Sequence, residues 1–363
     1  LFHKIFHGIH KFLILHFAFL IEIMYLNELF NVATSKKASD LHLTVNRRPI
    51  LRIDGQLYEI EDEPVLKPKE LEKTLLEALT LEQKEKFLKN KELDFSYEVK
   101  GARFRVNLHF EKGNTGLVAR VIPPTIPTLE EIKMPEIVYD LVRLPQGLIL
   151  VTGPTGHGKS TTLAAMINQI NQERVCHIVT LEDPIEFLFS SDRSIIKQRE
   201  LGLDMLSFAE GLKHVLRQDP NVIMVGEMRD LETIAATLTL AETGHLVLAT
   251  LHTYSAAQTI DRIIDVFPPH QQPQIRLQLS MTLAGVISQR LLPKVGGGRI
   301  AAKEILINTP AVANLIRENK TAQINTVIQT NAERGMVTME QDLKRLVQDG
   351  LLTKEVAESY LRG

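Results

Sequence analysis

The stretch Gly153–Thr162, Gly-Pro-Thr-Gly-His-Gly-Lys-Ser-Thr-Thr, constrains the fold more than any other part of the chain. It fits the phosphate-loop pattern G-x-x-x-x-G-K-[ST], which carries meaning only between a buried strand and a helix. Both flanks are legible. Gly147–Thr152 ahead of it is a short apolar run of the strand type, and Thr161–Ile170 behind it has Leu163, Ile167 and Ile170 at helical spacing. Gly153, Gly156 and Gly158 allow backbone conformations that a side chain would forbid, so successive N–H groups converge on phosphate oxygens. The following helix turns the positive end of its dipole toward the same anion. Lys159 is expected to reach the β- and γ-phosphates, and Ser160 to offer its hydroxyl to Mg²⁺. Pro154, Thr155, His157 and Thr161 complete the loop. The stretch predicts a nucleoside triphosphate site.

The 363 residues suffice for two domains. A formal net charge of −2 argues against a nucleic-acid binder driven by bulk positive charge. The single cysteine, Cys176, can form neither an internal disulfide nor a Cys-x-x-Cys zinc site, and points to the cytoplasm. Residues 1–23 read as an N-terminal extension outside the fold. Its apolar part, Phe12–Ile23, is interrupted by His16 and Glu22 and is too short to span a bilayer.

From Met24 to Pro123 the pattern predicts a small α+β domain. A helix over Leu26–Ala38 leads into a strand at Asp40–Val45, and Ile50–Ile60 forms a hairpin turning at Asp54-Gly55. Two helices, Lys67–Leu79 and Leu81–Lys91, precede strands over Asp94–Ile122 with turns at Lys100-Gly101 and Lys112-Gly113. In Arg103–Phe110, apolar Phe104, Val106, Leu108 and Phe110 alternate with Arg103, Arg105, Asn107 and His109, so both arginines share a face. They are either a solvated strand face or, beside a triphosphate, fingers that neutralise γ-phosphate charge. Arg120 is a third candidate, and which of the three reaches is left open.

A proline-studded linker is expected from 124 to 145. From Gln146 strands alternate with helices, the mark of a mostly parallel sheet. Strands are expected at Cys176–Leu181, Asn221–Val225, His245–Thr250 and Ile300–Ile307. Helices are expected at Ser207–Leu216, Leu231–Ala241, Ser255–Val266 and His270–Arg290, and the remainder from Thr309 to Tyr360 is helical. The fold class is α/β, with the small domain preceding a nucleotide-binding one.

Carboxylates just beyond the C-terminal ends of parallel strands are well placed to hold a metal or activate water. Glu182, Asp183 and Glu186 follow one strand and Glu227 another. The run Val222–Val225 followed by Gly226-Glu227 resembles a Walker B strand with Gly226 in place of the usual Asp. Glu227 is assigned to the metal through its bound water, and Glu186 to the attacking water. His245 and His252 bracket the strand Leu246–Leu251, and contact with the phosphates or acids is weighed against a purely structural role.

Together GPTGHGKSTT, TLEDPIEF, DPNVIMVGEMRDLET, AETGHLVLATLHT and ISQRLLPKVGGGR resemble the secretion-type motor ATPases, and among them the PilT family of type IV pilus retraction ATPases. ASDLHL and ARFRVN resemble the same family. The resemblance implies a PAS-like N-terminal domain and a RecA-like ATPase domain with C-terminal helices. It also implies a homo-hexameric ring using ATP and Mg²⁺, lying in the cytoplasm at the inner-membrane pilus platform and driving twitching motility. By motif it makes Gly153–Thr161 the Walker A loop, Glu186 the catalytic glutamate, Glu227 the Walker B acid, and His245 and His252 the His-box pair. Arg103, Arg105 and Arg120 fall where the family offers arginines to the nucleotide. Three departures stand out: His157 replaces a loop serine, Ala313 replaces an arginine of the AIRNLIRE-like motif, and residues 1–23 have no counterpart. At His157 the backbone is expected to matter more than the side chain. The absence of the four-cysteine zinc element of extension and type II secretion ATPases favours retraction. An accessory nucleotide-binding protein with weak turnover, or another secretion-type ATPase, is the alternative.

Overall fold

The computed structural model describes residues 24–53, 55–122 and 125–361. The N-terminal extension, Asp54 of the expected hairpin turn and Pro123-Pro124 lie outside the described residues. The chain divides into two compact units between Thr125 and Ile126.

The first unit contains α1 (24–35), β1 (Asp40–Leu43), β2 (Ile50–Ile53), β3 (Gln56–Glu59), α2 (Pro68–Glu77), α3 (Leu81–Asn90), β4 (Glu92–Val99), β5 (Ala102–Glu111) and β6 (Asn114–Ile122). Its six-stranded sheet runs β3-β2-β1-β6-β5-β4, with every neighbour antiparallel. Period-two alternation sends Phe104, Val106 and Leu108 of β5 to the face that packs on Phe30 of α1, Leu75 of α2 and Phe87 of α3. This is the α+β domain that the alternation predicts.

The second unit opens earlier than the sequence suggests. Residues read as a linker carry α4 (Glu136–Arg143), whose Val138, Leu141 and Val142 are buried. The buried Lys303 donates from Nζ to the carbonyls of Ile132 at 3.2 Å and Lys133 at 2.8 Å. Prolines at 123, 124 and 127 suggested an open linker, but the amphipathic stripe of α4 outweighs them. Then follow β7 (Gly147–Thr152), α5 (Lys159–Glu173), β8 (His177–Glu182), β9 (Ile195–Glu200), α6 (Phe208–Val215), β10 (Val222–Val225) and α7 (Leu231–Glu242). After these come β11 (Leu246–Leu251), α8 (Ala256–Asp265), α9 (Gln272–Thr282), β12 (Leu283–Pro293) and β13 (Arg299–Ile307). Helices α10 (Pro310–Arg317), α11 (Ile324–Thr330), α12 (Met339–Gln348) and α13 (Lys354–Leu361) end the chain.

The seven-stranded sheet has the order β13-β12-β7-β11-β10-β8-β9, parallel except for the β12–β13 pair. Its strands are apolar on both sides because both sides are covered. Ile149, Val151 and Met224 pack with Leu163, Met166 and Ile170 of α5, and Leu148, Leu150 and Ile223 pack with Ile234 of α7 and Ile260 of α8. This is a RecA-like arrangement of helices about a central sheet.

Two elements differ from expectation. The helix read over His270–Arg290 stops at Thr282, and the chain enters β12, with Gly285 at the register shift near its start. An apolar run of this length fits either period, and only Gly285 and the β-branched Val286-Ile287 hint at a strand. β9 was not foreseen because it is an edge strand whose Ile195 and Lys197 face outward.

Phe104 is fully buried, with its ring 4.5 Å from that of Phe30. Phe104→Ala is expected to cost the first unit about 3–5 kcal/mol, read as an earlier denaturant midpoint.

Candidate active site

Parallel register brings the loop, the acids and one histidine to a single edge. Leu251 lies opposite Thr152, and Val225 opposite both Leu181 and Ala249. Gly153, Glu182, Glu227 and His252 therefore emerge side by side at the carboxyl ends of β7, β8, β10 and β11.

The loop takes the conformations its glycines permit, with φ of 141°, 79° and 82° at Gly153, Gly156 and Gly158. Helix α5 starts at Lys159 with no side-chain cap and no acidic residue in its first turn, so its amide end is free to meet an anion. Lys159 is buried to 8% exposure, and its Nζ donates to the carbonyls of Gly153 at 2.8 Å and Pro154 at 3.0 Å. Burial lowers its pKa, against which the charges of Glu227 and Glu186 favour the ammonium. The Glu186 carboxylate is thus within electrostatic reach of the loop lysine.

Lys159, His252, Glu227 and Arg229 form one chain of contacts. Lys159 Nζ lies 3.3 Å from His252 Nδ1, His252 Nε2 lies 2.9 Å from Glu227 Oε1, and Arg229 Nη2 lies 2.8 Å from Glu227 Oε2. With the ammonium donating to Nδ1, the imidazole donates from Nε2 to the carboxylate. Thr155 Oγ1 also meets Nδ1 at 3.3 Å. Burial pushes the Glu227 carboxyl up. The Arg229 hydrogen bond and the charges of His252, Arg229 and Lys159 together outweigh it and hold the group below its ordinary value. Glu227 is therefore an ionised oxygen donor, and Ser160 is exposed on the first turn of α5. A hydroxyl and an ionised carboxylate are the hard oxygen groups that suit Mg²⁺: Ser160 would hold the ion directly, and Glu227, whose oxygens already meet Arg229 and His252, would act through a metal-bound water. Gly226 stands where the usual Asp would, since a Cβ there would lie 3.0 Å from the Leu181 carbonyl oxygen.

His245 does not join the group. It precedes β11 at the opposite edge of the sheet, with Nδ1 3.0 Å from the Leu240 carbonyl at the end of α7 and 3.2 Å from Thr243 Oγ1. A strand roughly 20 Å long separates it from His252, so the structural reading applies to His245.

Residues missed in the sequence hold the loop from β12. This strand runs beside β7 with Ser288 opposite Thr152 and then continues past it. Gln289 is buried; its Oε1 accepts from Thr162 Oγ1 at 2.8 Å and its Nε2 donates to the His157 carbonyl at 2.6 Å. A Cβ on Gly153 would run into the Gln289 carbonyl. His157 contributes more than its backbone: Nδ1 accepts from the Leu291 N–H at 3.0 Å. Only the ISQRLL motif hinted at these contacts, and reading it as helix hid them.

The three arginines form a group of their own in the first unit. Ser96, Arg105, Arg120, Asp40 and Arg52 lie directly opposite one another across five strands, on the face turned away from the core. Arg120 Nε is 2.9 Å from Oδ1 of the buried Asp40, and Arg103 Nη2 is 2.9 Å from Ser96 Oγ.

A central sheet with a glycine loop, a buried lysine and carboxylates at one edge defines a RecA-like ATPase. The chain belongs to the Type II/IV secretion system protein family, whose model matches residues 17–297. It is similar to the type IV pilus retractation ATPase PilT of Pseudomonas aeruginosa, 49% identical over 92% of this chain and 97% of that protein. To the twitching motility protein of Neisseria gonorrhoeae it is 50% identical over 85% of this chain and 83% of that one. The crystal structure of the pilus retraction motor PilT with bound ADP aligns at a TM-score of 0.85 and 47% identity, covering 91% of this chain and 95% of that one.

Burial, then the charges of Lys159, Arg290 and Arg299, hold the His157 imidazole below its ordinary pKa. The unfolded chain therefore takes up this proton first, so the stability the group contributes is present above about pH 6.5 and is lost as the pH falls below it. His157→Ser is expected to flatten the fall in thermal midpoint between about pH 7.5 and about pH 5.5. Gly153→Ala is expected to abolish nucleotide binding in equilibrium dialysis.

Proposed function

We infer that the chain is an ATP-driven motor of type IV pilus retraction, working as a homo-hexamer in the cytoplasm against the inner-membrane pilus platform. The observation that carries the reading is the contact chain from the loop lysine through His252 to Glu227, in a chain aligned over nearly its whole length with a pilus retraction ATPase.

ATP is taken by the backbone amides of Gly153–Thr161 and by Lys159, whose Nζ exchanges loop carbonyls for phosphate oxygens. Ser160 would hold Mg²⁺ directly and Glu227 through a metal-bound water, and the ion would supply neutralisation of phosphate charge. Glu186 orients the attacking water and accepts its proton. His252 links Glu227 to the lysine, so a change at the γ-phosphate is felt by the Walker B acid. In the hexameric ring one of Arg103, Arg105 and Arg120 is offered to the nucleotide of a neighbouring subunit, and Arg120 would have to leave Asp40 to be that one. No described helix is long and apolar enough to cross a membrane. Ala313 is half-buried on α10 and leaves the ATPase chemistry untouched.

Lys159→Ala and Glu186→Gln are each expected to lower phosphate release by at least about 10²-fold while the far-UV circular dichroism stays unchanged. Light scattering with and without a non-hydrolysable ATP analogue is expected to report a hexamer. A strict monomer in both conditions would remove the arginine proposal along with the ring.

A further inference from the structure

Glu186 lies on an irregular segment between β8 and β9, where no ladder fixes the backbone. Its position is instead set by side chains of those two strands. Gln198 of β9 donates from Nε2 to the Phe187 carbonyl at 2.8 Å and to Glu182 Oε1 at 3.1 Å, and its Oε1 accepts from the Phe189 N–H at 2.9 Å. One amide thereby uses a donor and its acceptor on the segment that carries Glu186 and its second donor on Glu182 at the end of β8. Glu182, at the end of β8, accepts from Thr180 Oγ1 at 2.6 Å and from the backbone N–H of Glu186. Glu200 Oε2 accepts from the Ile185 N–H at 3.0 Å. Backbone groups at 185, 186, 187 and 189 are each held by a side chain.

We propose that Gln198, acting with Glu182, is a positioning residue for ATP hydrolysis that sets where the Glu186 carboxylate meets the attacking water. The proposal rests on the reading of Glu186 as the water-activating group. Neither residue touches nucleotide; both act through the backbone of the segment. Glu182 is buried, which pushes its carboxyl up to about 7, and the bonds from Thr180, Gln198 and the Glu186 N–H each work against that rise. Removing the Gln198 amide leaves Glu182 short of a donor and the segment free to shift. A displacement of about 1 Å is enough to cost on the order of 10²-fold in rate. The phosphate loop shares no bond with Gln198, so nucleotide affinity is left alone.

The test compares full-length wild type with Gln198→Ala, the near-isosteric Gln198→Glu, Glu186→Gln, and Lys197→Ala as an outward-facing control. Steady-state phosphate release, equilibrium dialysis with ADP, and thermal midpoints are measured on each. Both Gln198 variants are expected to lose about 10- to 100-fold in kcat with the ADP Kd within about twofold of wild type, while Lys197→Ala is unchanged. A kcat within about twofold of wild type in both Gln198 variants overturns the proposal. So does a loss confined to ADP affinity, or a collapse of the thermal midpoint in both, because either would mark a merely architectural role. Wild-type turnover in Glu186→Gln overturns the reading of Glu186 itself and this proposal with it, and is distinguished by affecting a variant in which Gln198 is intact.

Discussion

The grip of β12 on the phosphate loop is the interaction on which the rest of the second unit depends. A loop that binds anions through backbone N–H groups must hold an arrangement that few residues adopt willingly, and Gly153 alone has a φ of 141°. Gln289 holds it in place from both ends, bonding Thr162 in the first turn of α5 and the carbonyl of His157 in the loop itself. The first contact is buried and the second partly so, and there a polar group left without a partner costs more than the same group in water. The strand carrying Gln289 pairs directly with β7, so the loop is braced by the same sheet that launches it.

Charge at the sheet edge is arranged around that brace. Burial disfavours the charged forms of both Lys159 and Glu227, and the charge of each, with those of its neighbours, favours the charged form of the other. Arg229 and His252 occupy the two oxygens of Glu227, which leaves its lone pairs directed rather than averaged by solvent. Glu182 shows the opposite balance: buried at the end of β8, it has hydrogen-bond donors but no cation among its bonded partners, and its pKa rises to about 7. Two glutamates at the ends of adjacent strands thus differ in ionisation because of what surrounds them.

The sequence made the loop, its strand and its helix legible because all three signals are local: glycine spacing, an apolar run and a helical period. The acids after β8 and β10 were legible for the same reason, and so was the arginine face of β5, where strict alternation puts Arg103 and Arg105 opposite Phe104 and Val106. What failed was non-local. The run from Leu283 to Arg290 is apolar enough for a helix and becomes a strand only because β7 and β13 are there to pair with it. Gln198 and Gln289 are ordinary polar residues until the strands beside them are known. His245 and His252 bracket one strand, and that strand keeps them at opposite edges of the sheet, which the motif alone does not reveal.

A side chain on β12 reaches the loop only if the strand holds its register, since a slip by one residue turns every side chain to the other face. Deleting or inserting a single residue between Leu283 and Ser288 would present Ser288 or Arg290 where Gln289 now stands, and would take the nucleotide cradle apart without altering any residue in it. The turn at Gly296-Gly297-Gly298, where added Cβ atoms meet open space, lies beyond the strand and would absorb the same change. Length variation among natural relatives should therefore collect in that turn and be absent from the strand just before it.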